Sequence, residues 1–195
     1  MFALCATALV AGCAKKEAAE DSAKMADSTA AAAAAAAPMT PAPAPAPALT
    51  DASILGTLDA DNVSDSTAGA MGVAKGTSAS VKEFGRMMMK DHHAMRVEGM
   101  AVAKKASITP EMPHEDAAEK AVADSMSAAP KGAAWDKFYI DHMVAGHQKV
   151  LLYAQDAANA TKNADIKAMI QKGTPVVQKH LDKAKQIQGK LPATK

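Results

Sequence analysis

Histidines at core-facing positions are the residues of this sequence best suited to chemistry. His92, His147 and His180 each fall on a stripe of apolar residues spaced three or four apart, and Asp65 falls on a fourth such stripe. This spacing places residues on one face of a helix, the face that packs toward a core. Imidazole and carboxylate groups converging from several helices are how helical bundles build metal sites. The pattern predicts a site for a first-row metal, with Zn, Fe or Cu as candidates.

The same four residues have a second interpretation, a polar layer inside the core. A single buried histidine is more often a hydrogen-bonded structural group than a ligand, and a closed network of such groups needs no metal. The sequence leaves both interpretations open.

The segment around His92 also carries soft donor atoms. Met89, His93 and Met95 lie within three residues of it. Thioether and imidazole suit Cu(I), although methionine also fills gaps in cores. Met95 lies on the apolar stripe, whereas Met89 and His93 lie off it. These three residues are the alternative soft-metal ligands.

Motifs of the common enzyme classes are missing. The sequence contains no glycine-rich phosphate loop, no HExxH and no serine elbow. Residues 111–114 match ExxH in letters, but Pro113 places them in a loop. No catalytic residue is predicted, and a role other than catalysis is favoured. A net charge of +1 also argues against nucleic-acid binding, which needs a strongly basic surface.

The elements that hold these residues are predicted from helical periodicity, which begins near Thr50. Long helices are expected at about 50–76, 80–106, 133–161 and 164–189, with a short helix at 116–126. Pro175 should kink or break the last helix, because proline removes a backbone hydrogen bond. With no strand signal, the fold class is all-α: an antiparallel four-helix bundle with a short extra helix between helices 2 and 3.

The N-terminus has the character of an export signal. Residues 1–12 form an apolar run too short to span a membrane, followed at once by Cys13. The run Leu9–Cys13 resembles the lipobox of bacterial lipoproteins, which implies cleavage before Cys13 and acylation of its sulfur. Ala14 follows where inner-membrane retention usually shows Asp, so that resemblance implies the outer membrane, facing the periplasm. No Lys or Arg precedes the run, so we expect the signal to be incomplete at its N-terminus.

Residues 13–50 are predicted to be a disordered tether, with the folded domain at 51–191. The tether holds an alanine run and a PAPAPAPA segment, and alternating proline favours an extended spacer of roughly 30 Å. Cys5 falls in the signal and Cys13 at the anchor, so the domain has no thiol. A disulfide and a thiolate metal site are therefore excluded.

Three segments together resemble a known family. MMKDHHAMRVEGM from Met88, WDKFYIDHMVAGHQKVLLY from Trp135 and TPVVQKHLDKAKQIQ from Thr174 are similar to the family called domain of unknown function 4142. The resemblance implies a ferritin-like bundle in an outer-membrane protein. The family positions carried over are Asp91, His92, Tyr139, His147, Pro175 and His180. Asp65 stands where the family's first helix is expected to have Glu.

The sequence thus supports two functional interpretations. One is an envelope lipoprotein that displays a ferritin-like bundle on a stalk, anchored to the membrane by acyl chains. It would act as a binding, structural or stress-related module for an envelope protein or the cell wall. The alternative is a periplasmic metal-binding protein that uses the His/Asp cluster. Ferroxidase activity is poorly supported, because the long helices lack the paired ExxH motifs of di-iron bundles.

Overall fold

A computed structural model describes residues 49–114 and 116–192, and this part of the chain folds as five helices with no strand. The helices are α1 (Asp51–Lys75), α2 (Ala79–Ala106), α3 (Ala117–Ala128), α4 (Ala133–Ala160) and α5 (Ala164–Gln188). The all-α prediction is confirmed. None of these helices is long and apolar enough to cross a membrane. The predicted signal peptide, Cys13 and nearly all of the tether lie outside the described residues.

The helix ends follow local capping chemistry. Thr50 and Ser53 form a reciprocal capping box at the start of α1, and the Ser78 hydroxyl accepts from the Val81 amide at the start of α2. Such caps satisfy amides that the first turn leaves without partners. All the predicted bounds agree with the structure to within two residues. Pro175 does not break the last helix, since α5 continues through it.

The four long helices pack in a cycle: α1 contacts α2 and α4, and α5 contacts the same two helices. The order in which each helix passes the two ends of the core shows that every packed pair runs antiparallel. Helices α2 and α4 therefore run in the same direction. Residues 107–132, which include α3, return the chain from one end of the core to the other.

The core consists of two apolar clusters. One is built around Phe84, Trp135 and Tyr139, and the other around Ile54 and Ile166. In every long helix the residues of these two clusters flank one of the four candidate ligands predicted from the sequence. The ionisable groups thus form a layer between the two apolar clusters.

Helices α1 and α2 approach most closely at a pair of glycines. A Cβ on Gly69 would lie 2.7 Å from the Gly85 carbonyl oxygen, and a Cβ on Gly85 would lie 2.5 Å from the Gly69 carbonyl oxygen. Only glycine permits backbones to meet at this distance. The contact fixes the separation of the two helices that carry Asp65 and His92.

Candidate metal centre

Three helices bring the three predicted histidines into one cluster. His92 of α2, His147 of α4 and His180 of α5 are each at most 2% exposed, and their ring centroids are 5.1–5.7 Å apart. One ring nitrogen from each can be chosen so that all three atoms lie within 4.8 Å of one another. Asp65 of α1 joins the cluster, with Oδ2 3.5 Å from Nε2 of His92. The structure thus brings together all four residues predicted from the stripes.

Each ring is oriented by one hydrogen bond that points away from the cluster. His147 donates Nδ1–H to the Met143 carbonyl at 2.8 Å. His180 donates Nε2–H to Oδ2 of Asp91 at 3.0 Å. Nδ1 of His92 donates to Oδ1 of Asn62 at 2.9 Å. All three partners are acceptors, so each bond fixes which nitrogen carries the proton in the neutral ring.

The other nitrogen of each ring is left with a free lone pair. Nε2 of His92, Nε2 of His147 and Nδ1 of His180 are buried and have no hydrogen-bond partner among the described residues. They cannot satisfy one another, because all three are acceptors in these tautomers. A bound cation satisfies three such lone pairs at once, and ligating histidines commonly hold their second nitrogen in this manner.

Burial keeps the rings neutral. It lowers the pKa of His92 to about 3 and that of His147 to about 4, with the neighbouring imidazoles adding to the effect. The pKa of His180 is also lowered by burial, against the opposing effect of Asp91. At neutral pH the lone pairs are therefore not occupied by protons.

The carboxylates of α1 respond in the opposite direction. Burial raises the pKa of Asp65 to about 8, and the nearby acids Asp61 and Glu119 raise it further. Burial also raises the pKa of Asp61, to about 6. The Asp65 side chain is 16% exposed and lies beside the buried ring of His92, and its loss of solvation sets the direction of the pKa shift. A metal ion there would favour the ionised carboxylate.

The predicted soft ligands are not gathered into this cluster. His93 is exposed, and Met89 is 41% exposed. Met95 is half-buried, and its sulfur lies 3.5 Å from the point where a Cβ on Gly173 would be. His92 therefore joins the other core histidines, whereas His93, its neighbour in sequence, faces solvent.

Sequence reasoning assigned no role to two groups that orient the rings. Asn62 lies on the same α1 stripe as Asp65, three residues before it, and an amide on a core-facing stripe was the available signal. The Met143 carbonyl gave none, because backbone groups have no signature in a sequence. Asp91 matched the family pattern, and its bond to His180 gives it a structural role.

The geometry of the cluster suits a small first-row ion after a modest contraction. Nitrogens bound tetrahedrally to zinc at about 2.0–2.1 Å lie roughly 3.3 Å apart. One nitrogen from each of the three rings lies within 4.8 Å of the others, so side-chain shifts of about 1 Å would bring such a set to the spacing of bound ligands. Three imidazoles and a carboxylate suit Zn, Cu or Fe.

The fold and this cluster define an all-α domain with a candidate His₃ centre in its core. The model of the family described as Domain of unknown function (DUF4142) matches residues 36–187, and the chain belongs to that family. The predicted family assignment is confirmed. No curated protein matches the chain.

Two solved structures share the fold. One, titled CopM in the Cu(II)-bound form, has a TM-score of 0.61 and 14% identity, covering 74% of this chain and 99% of that one. The other is a DUF305 fragment from Deinococcus radiodurans, with a TM-score of 0.64 and 10% identity, covering 74% of this chain and 100% of that one. At these identities the likeness concerns the fold alone.

Proposed function

We propose that this protein binds one first-row metal ion through His92, His147 and His180, with Asp65 as the adjacent carboxylate. The observation that carries the proposal is the set of three buried ring nitrogens without hydrogen-bond partners in the described part of the chain. The opposite nitrogen of each ring is already held by an acceptor. A polar layer built for its own sake would pair these atoms, since an unsatisfied buried polar group costs about 1–3 kcal/mol.

Among divalent ions, copper is expected to bind most tightly. Nitrogen sites follow an affinity order that peaks at Cu²⁺. The fold likeness to a protein titled as Cu(II)-bound agrees with this expectation. Zn²⁺ should bind to the same three nitrogens with lower affinity, and a competition between the two ions measures the order.

The test is metal titration of the purified, chelator-treated protein followed by elemental analysis after dialysis. We expect one Cu²⁺ or Zn²⁺ per chain and a rise in thermal stability, because a ligand of the native state stabilises it. His147→Gln and His180→Gln should each lose the retained metal. The matched control is His93→Gln, which removes an exposed imidazole next to His92 and should retain it.

A buried water that donates to two of the nitrogens is the competing arrangement. It predicts a metal-free protein whose melting temperature does not respond to added ion. It also predicts no difference in metal content between His147→Gln and His93→Gln.

We also propose that the chain is a lipid-anchored envelope protein with its domain displayed in the periplasm. Support comes from the sequence: the apolar run and Leu9–Cys13. Outer-membrane placement follows from Ala14 in the same motif. Labelled fatty acid should be incorporated in the producing bacterium and lost in Cys13→Ser. Equal labelling of the two proteins would contradict the anchor.

We also propose that the four long helices form a ferritin-like bundle. The cyclic, antiparallel packing of α1, α2, α4 and α5 supports a ferritin-like four-helix bundle. In that arrangement the metal would lie at the centre of the bundle, and an envelope protein or cell-wall partner would contact an outer helix face. Capture of such a partner by the intact chain should be independent of His147→Gln if the partner binds that face.

A further inference from the structure

A large cavity lies between the four long helices. Its volume is about 830 Å³, and the segment after α2 also contributes to its walls. Protein cores seldom leave voids larger than a water molecule, whereas ligand pockets are commonly about 300–1,000 Å³. Small residues create the space, notably Gly99, Ala103, Ala154 and Gly173.

The cavity has a polar end and an apolar end. The polar end lies at the level of the histidine cluster, where Asp61 and Asp65 of α1 and His92 of α2 line the wall. Toward the other end the lining includes Leu55, six residues before Asp61, and Ala103, eleven residues after His92. At 1.5 Å per helical residue these separations are roughly 9 and 16 Å. The cavity therefore suits an elongated molecule with one polar head.

The cations of the wall lie at its solvent side. Four line the cavity, and all four are exposed: Arg96, Lys104, Lys172 and Lys179. Two of them are already paired with acids of the same wall, Arg96 with Asp59 at 2.9 Å and Lys172 with Glu98 at 2.8 Å. Water weakens the interactions of exposed charges, so these cations do little to compensate an anion inside the cavity.

Asp61 is the carboxylate of the wall that has no partner in the described part of the chain. Asp91 accepts a hydrogen bond from His180, and Asp65 lies 3.5 Å from the His92 ring. Asp61 forms no hydrogen bond or ion pair with the described residues.

The charge of Asp61 is also left uncompensated by its surroundings. Burial raises its pKa to about 6, so the carboxyl group is ionised at neutral pH. Lys149 acts on it from a distance, but the exposed Lys149 amine lies 3.3 Å from Glu119 and 4.0 Å from Asp116. A partly buried anion costs free energy unless a cation pairs with it. The group missing from the polar end is a positive charge.

We propose that the cavity binds an organic cation with an apolar chain, of the class of primary alkylammonium ions. Its head donates hydrogen bonds to Asp61, and its chain extends toward Leu55 and Ala103. No covalent bond is made or broken. This binding needs none of the three ring nitrogens and is a property separate from metal binding. A metal at the histidines and an ammonium at Asp61 repel each other, so each should weaken the binding of the other.

The experiment is calorimetric titration of the intact, chelator-treated chain at pH 7.5 with straight-chain primary amines from propylamine to decylamine. The dissociation constant should fall about fourfold per added methylene. Alcohols and carboxylates of equal chain length should bind at least about tenfold more weakly, because neither offers a cation to the buried carboxylate.

A charge-removing variant tests the head position. Asp61→Asn keeps the size of the side chain and should weaken the binding of decylamine at least about tenfold. It should still retain metal, since Asp61 is not among the proposed ligands. Asp156→Asn is the matched control, because it removes one negative charge from an exposed position on α4 and should bind decylamine as the wild type does.

A cavity-filling variant tests the chain position. Gly99→Leu should abolish the dependence of affinity on chain length. A Cβ at Gly99 would meet only the Met169 sulfur, at 3.7 Å, so the substitution is compatible with folding. Gly146→Leu is the control, because a Cβ there meets nothing within 4 Å and Gly146 does not line the cavity.

The outcomes separate this proposal from the metal site. His147 does not line the cavity, so His147→Gln should lose the metal and keep the binding of decylamine. A chain that retains no metal but binds amines overturns the metal site alone. The amine proposal is overturned if affinity does not change with chain length or if alcohols or carboxylates bind as tightly. It is also overturned if Asp61→Asn matches Asp156→Asn or Gly99→Leu matches Gly146→Leu.

Discussion

His180 donates its Nε2 proton to Asp91 across the α2–α5 interface, at 3.0 Å, and its Nδ1 is buried without a hydrogen-bond partner among the described residues. Asp91 precedes His92 in sequence, so two adjacent residues of α2 serve the cluster. The ring of His92 is part of the cluster, and the carboxylate of Asp91 orients the ring of His180 on α5.

Removing that acceptor should weaken metal binding without removing a ligand. We expect Asp91→Ala to lower metal affinity about 10- to 100-fold, the usual effect of losing a partner that orients a ligating histidine. Asp91→Asn keeps an acceptor oxygen and should lose less. Glu98→Gln removes one negative charge from the same helix and is the control. Equal metal affinities for the wild type and these three variants, measured by competition with a chelator, would contradict this role.

The metal-free protein should lose stability as the pH rises from about 6.5 to 8. Asp65, with a folded pKa of about 8, stays protonated in the folded state while it is ionised in the unfolded chain, so the free energy of unfolding falls with rising pH. Between about pH 4.5 and 6 we expect a nearly level profile. There the unfolded chain takes up protons on His92 and His147, whose folded pKa values are about 3 and about 4, and the raised pKa values of Asp65 and of Asp61, about 6, offset this effect. Denaturant unfolding from pH 4.5 to 8.5 measures both ranges, and a free energy of unfolding that rises between pH 6.5 and 8 would contradict the prediction.

Asp65→Asn tests the cause of the fall in the free energy of unfolding toward pH 8. The amide cannot ionise, so the metal-free variant should be more stable than the wild type at pH 8, by on the order of 2–5 kcal/mol. The same variant should bind metal more weakly, because it has lost the carboxylate. Opposite signs for the two effects would mark Asp65 as a residue kept at a cost to stability. A variant less stable than the wild type at pH 8 would show that Asp65 is ionised in the folded protein.

A buried carboxylate on α4 ties that helix to the turn between α1 and α2. Asp136 is 1% exposed and accepts from the Thr77 amide, the Thr77 hydroxyl and the Ser78 amide, each at 2.8 Å. We expect Asp136→Ala to lower the free energy of unfolding by about 3 kcal/mol or more, since buried donors lose a charged acceptor. Asp156→Ala, on the same helix but exposed, should change it by less than about 0.5 kcal/mol. Similar denaturant midpoints for the two variants would contradict this role.

The glycine contact between α1 and α2 makes a separate prediction. Gly85→Ala forces a Cβ to within 2.5 Å of the Gly69 carbonyl, and the helices must separate. We expect a loss of about 2 kcal/mol or more in the free energy of unfolding. Gly146→Ala is the matched control: its Cβ meets nothing within 4 Å, so helix propensity should stabilise it by about 0.5–1 kcal/mol. A stabilising Gly85→Ala would contradict the close approach.

The helices, and the residues of each helix that face the core, could be predicted from the sequence, because both depend on local spacing. His92 and His147 each lie on an apolar stripe, and a stripe can only face a core. The Thr50 and Ser78 caps are also local signals. For these reasons the predicted bounds agree closely with the observed helices.

The remaining features depend on contacts between distant parts of the chain. Asp136 meets Thr77 across 59 residues, and Asp91 meets His180 across 89. The cavity is likewise a property of how four helices pack, since Gly99 and Gly173 show only as small residues in a sequence. The break expected at Pro175 does not occur, since α5 continues through that residue.

X-ray absorption of the protein loaded with one equivalent of Cu²⁺ or Zn²⁺ tests the central claim most directly. It reports the ligands of the ion and recognises imidazole by its ring scattering. We predict three imidazole nitrogens at about 2.0–2.1 Å in the wild type and in His93→Gln, with fewer imidazoles in His147→Gln. A spectrum with no imidazole ligands, or identical spectra for His147→Gln and wild type, would contradict the His₃ centre.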